Sequence, residues 1–180
     1  HYEFLEIIPR TFIIPKGHNQ LIEEDVFNSA PIRRLVMAMN FNENFTGILG
    51  ANPFHYQKFD LKRVQLLREG SPVGCTPLRI RDNTRAYYNT IRALNPTHAG
   101  NGIKLSEFHN HFLLVFVLTA DLEAQDHTTR PELTGGRLRL MLEFDTPTTA
   151  PIEVLLLGER KSAVYIDKNR SVLKNALFAL

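Results

Sequence analysis

The chain has 180 residues, 43% hydrophobic and 22% charged, the length and balance of one globular domain and far from the signature of disorder. A formal charge of +2, from 21 basic and 19 acidic residues, gives no strong field for phosphate backbones, so specific nucleic acid binding is not expected. One cysteine, Cys75, excludes an intrachain disulfide and argues against a thiolate zinc site, and the longest apolar run, Phe112 to Leu118, is too short to cross a bilayer.

In chain order, Tyr2 to Ile8 and Thr11 to Ile14 read as extended, interrupted by Pro9 and closed by Pro15 and Gly17, the pattern of an edge strand. Arg34 to Phe41 and Phe59 to Arg68 are further strand candidates. In the second the apolar parity shifts between Leu61 and Val64, as a β-bulge would produce. Between them Asn42 to Pro53, with three Asn, Gly47 and Gly50, predicts a long surface loop. Asn83 to Leu94 predicts a helix: Asp82 can cap it, Tyr87, Ile91 and Leu94 recur at helical spacing, and Pro96 ends it.

Phe112 to Thr119 is β-branched and aromatic enough for a strand covered on both sides. From Arg137 to Asp145 the alternation is strict, with Leu138, Leu140, Leu142 and Phe144 on one face and Arg137, Arg139, Met141 and Glu143 on the other. Pro147 and Pro151 bracket a Thr-rich turn, and Ile152 to Leu157 follows as the second arm of a hairpin. After Gly158 and the charged Glu159, Arg160 and Lys161, a separate short strand is expected from Ala163 to Asp167. In Ser171 to Leu180 the spacing of Val172, Leu173, Ala176, Leu177 and Leu180 predicts a short helix, docked on its own sandwich or on a neighbouring subunit. Seven or eight strands with long loops and one inserted short helix predict an all-β fold, a two-sheet jelly-roll sandwich over residues 1–170 with a tail at 171–180.

Few residues suggest chemistry. His109 and His111, at i and i+2, would share a face if they lay on a strand, and cupins use such a pair to hold a metal. Here the Glu that follows the pair in cupins is replaced by the apolar run from Phe112, and no spacing recruits His18, His55, His98 or His127 as a third ligand. Histidines in a loop at a strand mouth are the simpler reading, and metal binding centred on His109 and His111 is the alternative. Cys75, in a turn-rich stretch, reads as a partly buried packing residue. Gly100-Asn101-Gly102 and Gly135-Gly136 lack a phosphate-loop context and read as turns. Glu23-Glu24-Asp25 and the group Asp121, Glu123 and Asp126 lack the ladder of a calcium loop. Arg33, Arg34, Arg137 and Arg139 fit solvated faces or salt bridges between subunits. No catalytic, cofactor or metal residue is assigned, and a structural protein rather than an enzyme is expected.

An ordered series of short stretches carries a resemblance: Ile14-Pro15-Lys16-Gly17, Glu24-Asp25-Val26-Phe27, Arg34-Leu35-Val36, Asn52-Pro53-Phe54 with Phe59, Tyr87-Tyr88, Gly102-Ile103 and Phe116. Leu118-Thr119-Ala120-Asp121-Leu122, Leu138-Arg139-Leu140 and Ile166-Asp167-Lys168-Asn169-Arg170 complete it. Together they resemble the carboxyl-terminal jelly roll of double-jelly-roll major capsid proteins from Polinton (Maverick) mobile elements and their viral relatives. The resemblance implies a structural subunit of a virion, assembled in the host cell interior, whose partners are its own copies, as a homotrimer, and neighbouring capsomers. It leaves two options, a fragment of a longer capsid protein, as the start at His1 suggests, or a single-jelly-roll relative such as a penton.

Overall fold

Where apolar side chains alternate, one face of a strand is buried, and two such sheets must close on each other. The computed structural model describes residues 2–80, 83–94, 103–119, 135–166 and 168–174. In chain order its elements are β1 (Tyr2–Ile14), β2 (Gln20–Glu23), β3 (Arg34–Phe41), α1 (Asn42–Phe45), β4 (Leu61–Arg68), β5 (Ser71–Pro72) and β6 (Leu78–Arg79). They continue with α2 (Asn83–Leu94), α3 (Leu105–Asn110), β7 (Leu113–Val117), β8 (Leu138–Phe144), β9 (Ile152–Ile166) and β10 (Val172–Lys174).

The strands form two antiparallel sheets, β1-β9-β3-β7 with β10 beside β9, and β2-β8-β4-β5 with β6 also beside β4. Taking β5 and β6 as one interrupted strand, the pairing is nested: β1 with β9, β2 with β8, β3 with β7, β4 with β5 and β6. One long hairpin folded over itself gives this order, which is that of a jelly roll. The core lies between the sheets, where Leu35, Met37, Leu114, Phe116, Val154 and Leu156 meet Leu61, Val64, Leu66, Leu138, Leu140 and Leu142, all buried.

Several expectations hold and others are corrected. The alternation in β8 buries Leu138, Leu140, Leu142 and Phe144, and the register shift in β4 falls between Leu61 and Arg63, where the parity change predicts a bulge. The hairpin expected across Pro147 and Pro151 does not form, because β8 and β9 lie in different sheets. The intervening turn crosses the sandwich and is pinned by Thr148, whose Oγ1 donates to Pro15 O at 2.7 Å and whose carbonyl accepts from Gly17 N–H at 2.8 Å.

No break occurs at Gly158, and β9 runs unbroken from Ile152 to Ile166. The charges after it are absorbed sideways, Glu159 pairing with Arg34 at 2.6 Å and Arg160 with Glu6 at 2.8 Å. Glycine stands at 158 because a Cβ there would lie 2.6 Å from Phe27 Cε1. Beyond the end of β3, β9 leaves a free edge, and Val172 to Lys174 pairs with it as β10 where local spacing predicts helix. Residues 175–180, Asp82, Pro96 and Asp167 lie outside the described residues.

Among the described residues three helices stand where one is expected, α1 opening the Asn42 to Pro53 loop and α3 preceding β7. Helix α2 spans the predicted residues, but its fully buried stripe is Ala86, Thr90 and Ala93, with Tyr87 and Leu94 at the margins. Small side chains let it settle on β7. There Thr90 Oγ1 donates to Leu113 O at 3.2 Å and accepts from Val115 N–H at 3.3 Å. These bonds cap the backbone edge of β7.

The capped groups fix the hydrogen-bond parity of the whole sheet. Leu113, Val115 and Val117 point their backbone groups away from β3, so their partners Ala38, Val36 and Arg34 bond to β9. Gly158, Leu156 and Val154 then bond to Ile8, Arg10 and Phe12 of β1. Hence Ile7, Pro9, Thr11 and Ile13 present theirs to the outer edge, and the missing N–H of Pro9 falls where no strand is paired among the described residues.

Candidate functional surfaces

Among the described residues, those that suggest chemistry do not gather as one group. His109 lies in the last turn of α3 and His111 is its C-cap, donating its N–H to Glu107 O at 2.9 Å. Neither lies on a strand, so the shared face that a cupin-like pair requires is absent. The His111 ring instead meets His55 edge-on, centroids 5.8 Å apart. Among the described residues no three His, Cys, Asp or Glu side chains gather as a ligand set. His98, His127, Asp121, Glu123, Asp126 and the Gly100-Asn101-Gly102 turn lie outside the described residues.

Cys75 is exposed rather than packed, on a turn with φ of +61°. The inward position belongs to its neighbour Gly74, where a Cβ would come within 2.9 Å of Leu118 Cδ2. The acidic run is divided among separate partners. Glu24 pairs with Arg139 at 3.2 Å, while Asp25 accepts the N–H and the hydroxyl of Ser29, both at 2.9 Å, closing a turn. Burial raises the Asp25 pKa, but the hydrogen bonds from Ser29, Phe27 and Leu138 outweigh it and hold the carboxyl below its ordinary range. Arg34, which by sequence fits a solvated face or a salt bridge between subunits, is paired within the chain by Glu159.

Arg68 ends β4 on the inward side and is buried, its NH2 donating to Ile32 O at 2.9 Å and its NH1 to Leu118 O at 3.5 Å. Burial lowers its pKa from the usual guanidinium value. Because Ile32 and Leu118 flank strands of the opposite sheet, this side chain ties the two sheets at one end.

The outer faces of the two sheets differ in kind. On the first sheet, side chains directly across the strands share a face, joining Leu5, Ile7 and Ile13 of β1 to Lys161, Glu159 and Glu153 of β9, with Leu155 and Leu157 between. Helix α2 covers this face at β7, and Asn40, bonded to Asn52 O and Pro53 O, holds the long loop over another part. The β1 side stays open: Leu5 and Ile7 are each 52% exposed and Ile13 54%.

The second sheet turns charge outward. Lys62 and Arg63 of β4 reach Glu143 of β8 at 2.8 and 2.9 Å, and these cations, Lys62 foremost, hold its carboxyl below the ordinary range. Sequence reading places Glu143 on this face and foresees the bulge. It does not foresee that Lys62 and Arg63 converge on one carboxylate, although consecutive basic residues at a parity shift carry that signal.

No protein-family model matches the chain, and no curated protein is significantly similar to it. No described helix is long and apolar enough to cross a membrane.

Proposed function

We propose that this chain is a structural capsid subunit, the carboxyl-terminal jelly roll of a double-jelly-roll major capsid protein of Polinton type. It self-assembles into trimeric capsomers of an icosahedral shell. The observation that carries this is the open apolar face along β1, with Leu5, Ile7 and Ile13 each more than half exposed beside Leu155 and Leu157. Scattered surface apolar residues are ordinary, but contiguous ones on a rigid sheet mark a contact surface. The nested strand order, a jelly roll, is a fold used in viral shells, though lectins and cupins share it.

The test is multi-angle light scattering with negative-stain microscopy on the wild-type chain and on a Leu5→Lys, Ile7→Lys variant. The wild type is expected to associate as concentration rises and the variant to stay monomeric with an unchanged Tm. A trimeric mass supports the major capsid reading, and a pentameric mass the penton alternative. Wild-type chain that stays monomeric at high concentration counts against both.

A further inference from the structure

The outer face of the second sheet holds a group of side chains that the shell proposal does not use. Between Leu61 and Arg63 the β4–β8 register slips, so Lys62 is an extra residue with no opposite number. A bulge re-aims side chains, and here both Lys62 and Arg63 lie within 2.9 Å of Glu143. On the other side of β4, Arg79 of β6 stands directly opposite Arg63.

Like charges facing each other across neighbouring strands lower stability. Glu143 is engaged by Lys62 and Arg63, and Asp145 lies 3.9 Å from Lys62, so Arg79 has no ion-pair partner among the described residues. Among the described residues, Lys62, Arg63, Arg79 and Glu143 line an open concavity of about 350 Å³, within the size range of small-ligand sites. Lys62, Arg63 and Arg79 outnumber the two nearby carboxylates, Glu143 and Asp145, which leaves an excess of positive charge in a concave place and favours an incoming anion.

We propose that this concavity binds phosphate groups, from a free polyphosphate or from a nucleic acid backbone. Arginine presents a planar fork that matches two phosphate oxygens at once, and Lys62 adds a point charge beside it. Glu143 occupies the cations when the site is empty and is displaced from them by the ligand. The contact is to phosphate alone and carries no base specificity.

The experiment is titration calorimetry of the full chain with sodium tripolyphosphate at low salt, paralleled by fluorescence anisotropy with labelled oligothymidylate. Binding is expected to weaken by about tenfold in Arg79→Glu and to tighten in Glu143→Gln, which removes the competing carboxylate. Arg10→Glu, an equal charge change on β1, is the control and is expected to leave affinity within about twofold. Far-UV circular dichroism and Tm show that each variant is folded; Arg79→Gln replaces Arg79→Glu if the latter is not. Tripolyphosphate binding without oligothymidylate binding identifies a small polyphosphate as the source. Oligothymidylate binding displaced by tripolyphosphate identifies a nucleic acid backbone. No binding of either ligand at low salt, or equal losses in Arg79→Glu and Arg10→Glu, overturns the proposal.

Discussion

Single side chains decide the packing of this sandwich, and two pairs of substitutions expose how. Leu142 is 1% exposed on the inner face of β8, whereas Arg139 points outward to Glu24. Truncating a buried leucine costs about 2–5 kcal/mol, from lost transfer energy and the cavity left behind, while an exposed ion pair contributes about 0–1 kcal/mol. Leu142→Ala is therefore expected to melt well below Arg139→Ala in calorimetry, and equal Tm values would mean that the strand faces are reversed. Gly158 makes the opposite case. A methyl group there meets Phe27 Cε1 at 2.6 Å and Ile32 Cδ1 at 2.9 Å, and both neighbours are buried. Overpacking of this kind costs about 1–3 kcal/mol. Urea unfolding of Gly158→Ala is expected to show that loss, and a Phe27→Leu, Gly158→Ala double variant to lose less than the two single changes added together. Strict additivity would show that the ring does not set the identity of residue 158.

At the scale of elements, the edges of the first sheet are treated in two ways. The edge at β7 is closed by Thr90 of α2, which takes Leu113 O and Val115 N–H. The edge at β1 is unpaired among the described residues and carries Pro9, which cannot donate to an added strand. The parity that follows makes a residue-by-residue prediction for hydrogen exchange of the dissociated chain. Amides of Ile8, Arg10 and Phe12, bonded to β9, are expected to exchange slowly, and those of Ile7, Thr11 and Ile13 quickly. Uniform protection along β1 would mean that another strand covers this edge. The strands β3, β4, β7 and β8 are legible in the sequence to within a residue or two, because each buries a face that its alternation or apolar run records. Two errors share one cause. The break expected at Gly158 and the helix expected after Ser171 both follow from local pattern, while β9 continues because β1 and then β10 supply its partners.

For the whole molecule, nested pairing makes most sheet contacts distant in sequence: Tyr2 is opposite Val164, and Leu21 opposite Leu142. Closing such loops before their contacts form is slow, so refolding is expected in about milliseconds to seconds. Stopped-flow refolding complete within microseconds would contradict this ordering of the chain. The sequence by itself determined the class of fold, since alternation, turn residues and one amphipathic segment are local consequences of burying one face per strand. It also carried the bulge in β4, because a parity change is written in neighbouring residues. What only the tertiary structure decided are the relations between segments far apart in the chain. These include the assignment of β8 and β9 to different sheets, the division of the acidic run between Ser29 and Arg139, and the convergence of Lys62, Arg63 and Arg79 around Glu143. The open face along β1 is also such a relation, for Leu5 and Ile7 are apolar in any reading, and whether they are covered depends on which elements reach them. Burial of one face is encoded residue by residue, but the partner that buries it, or leaves it bare, is set by the path of the remaining chain.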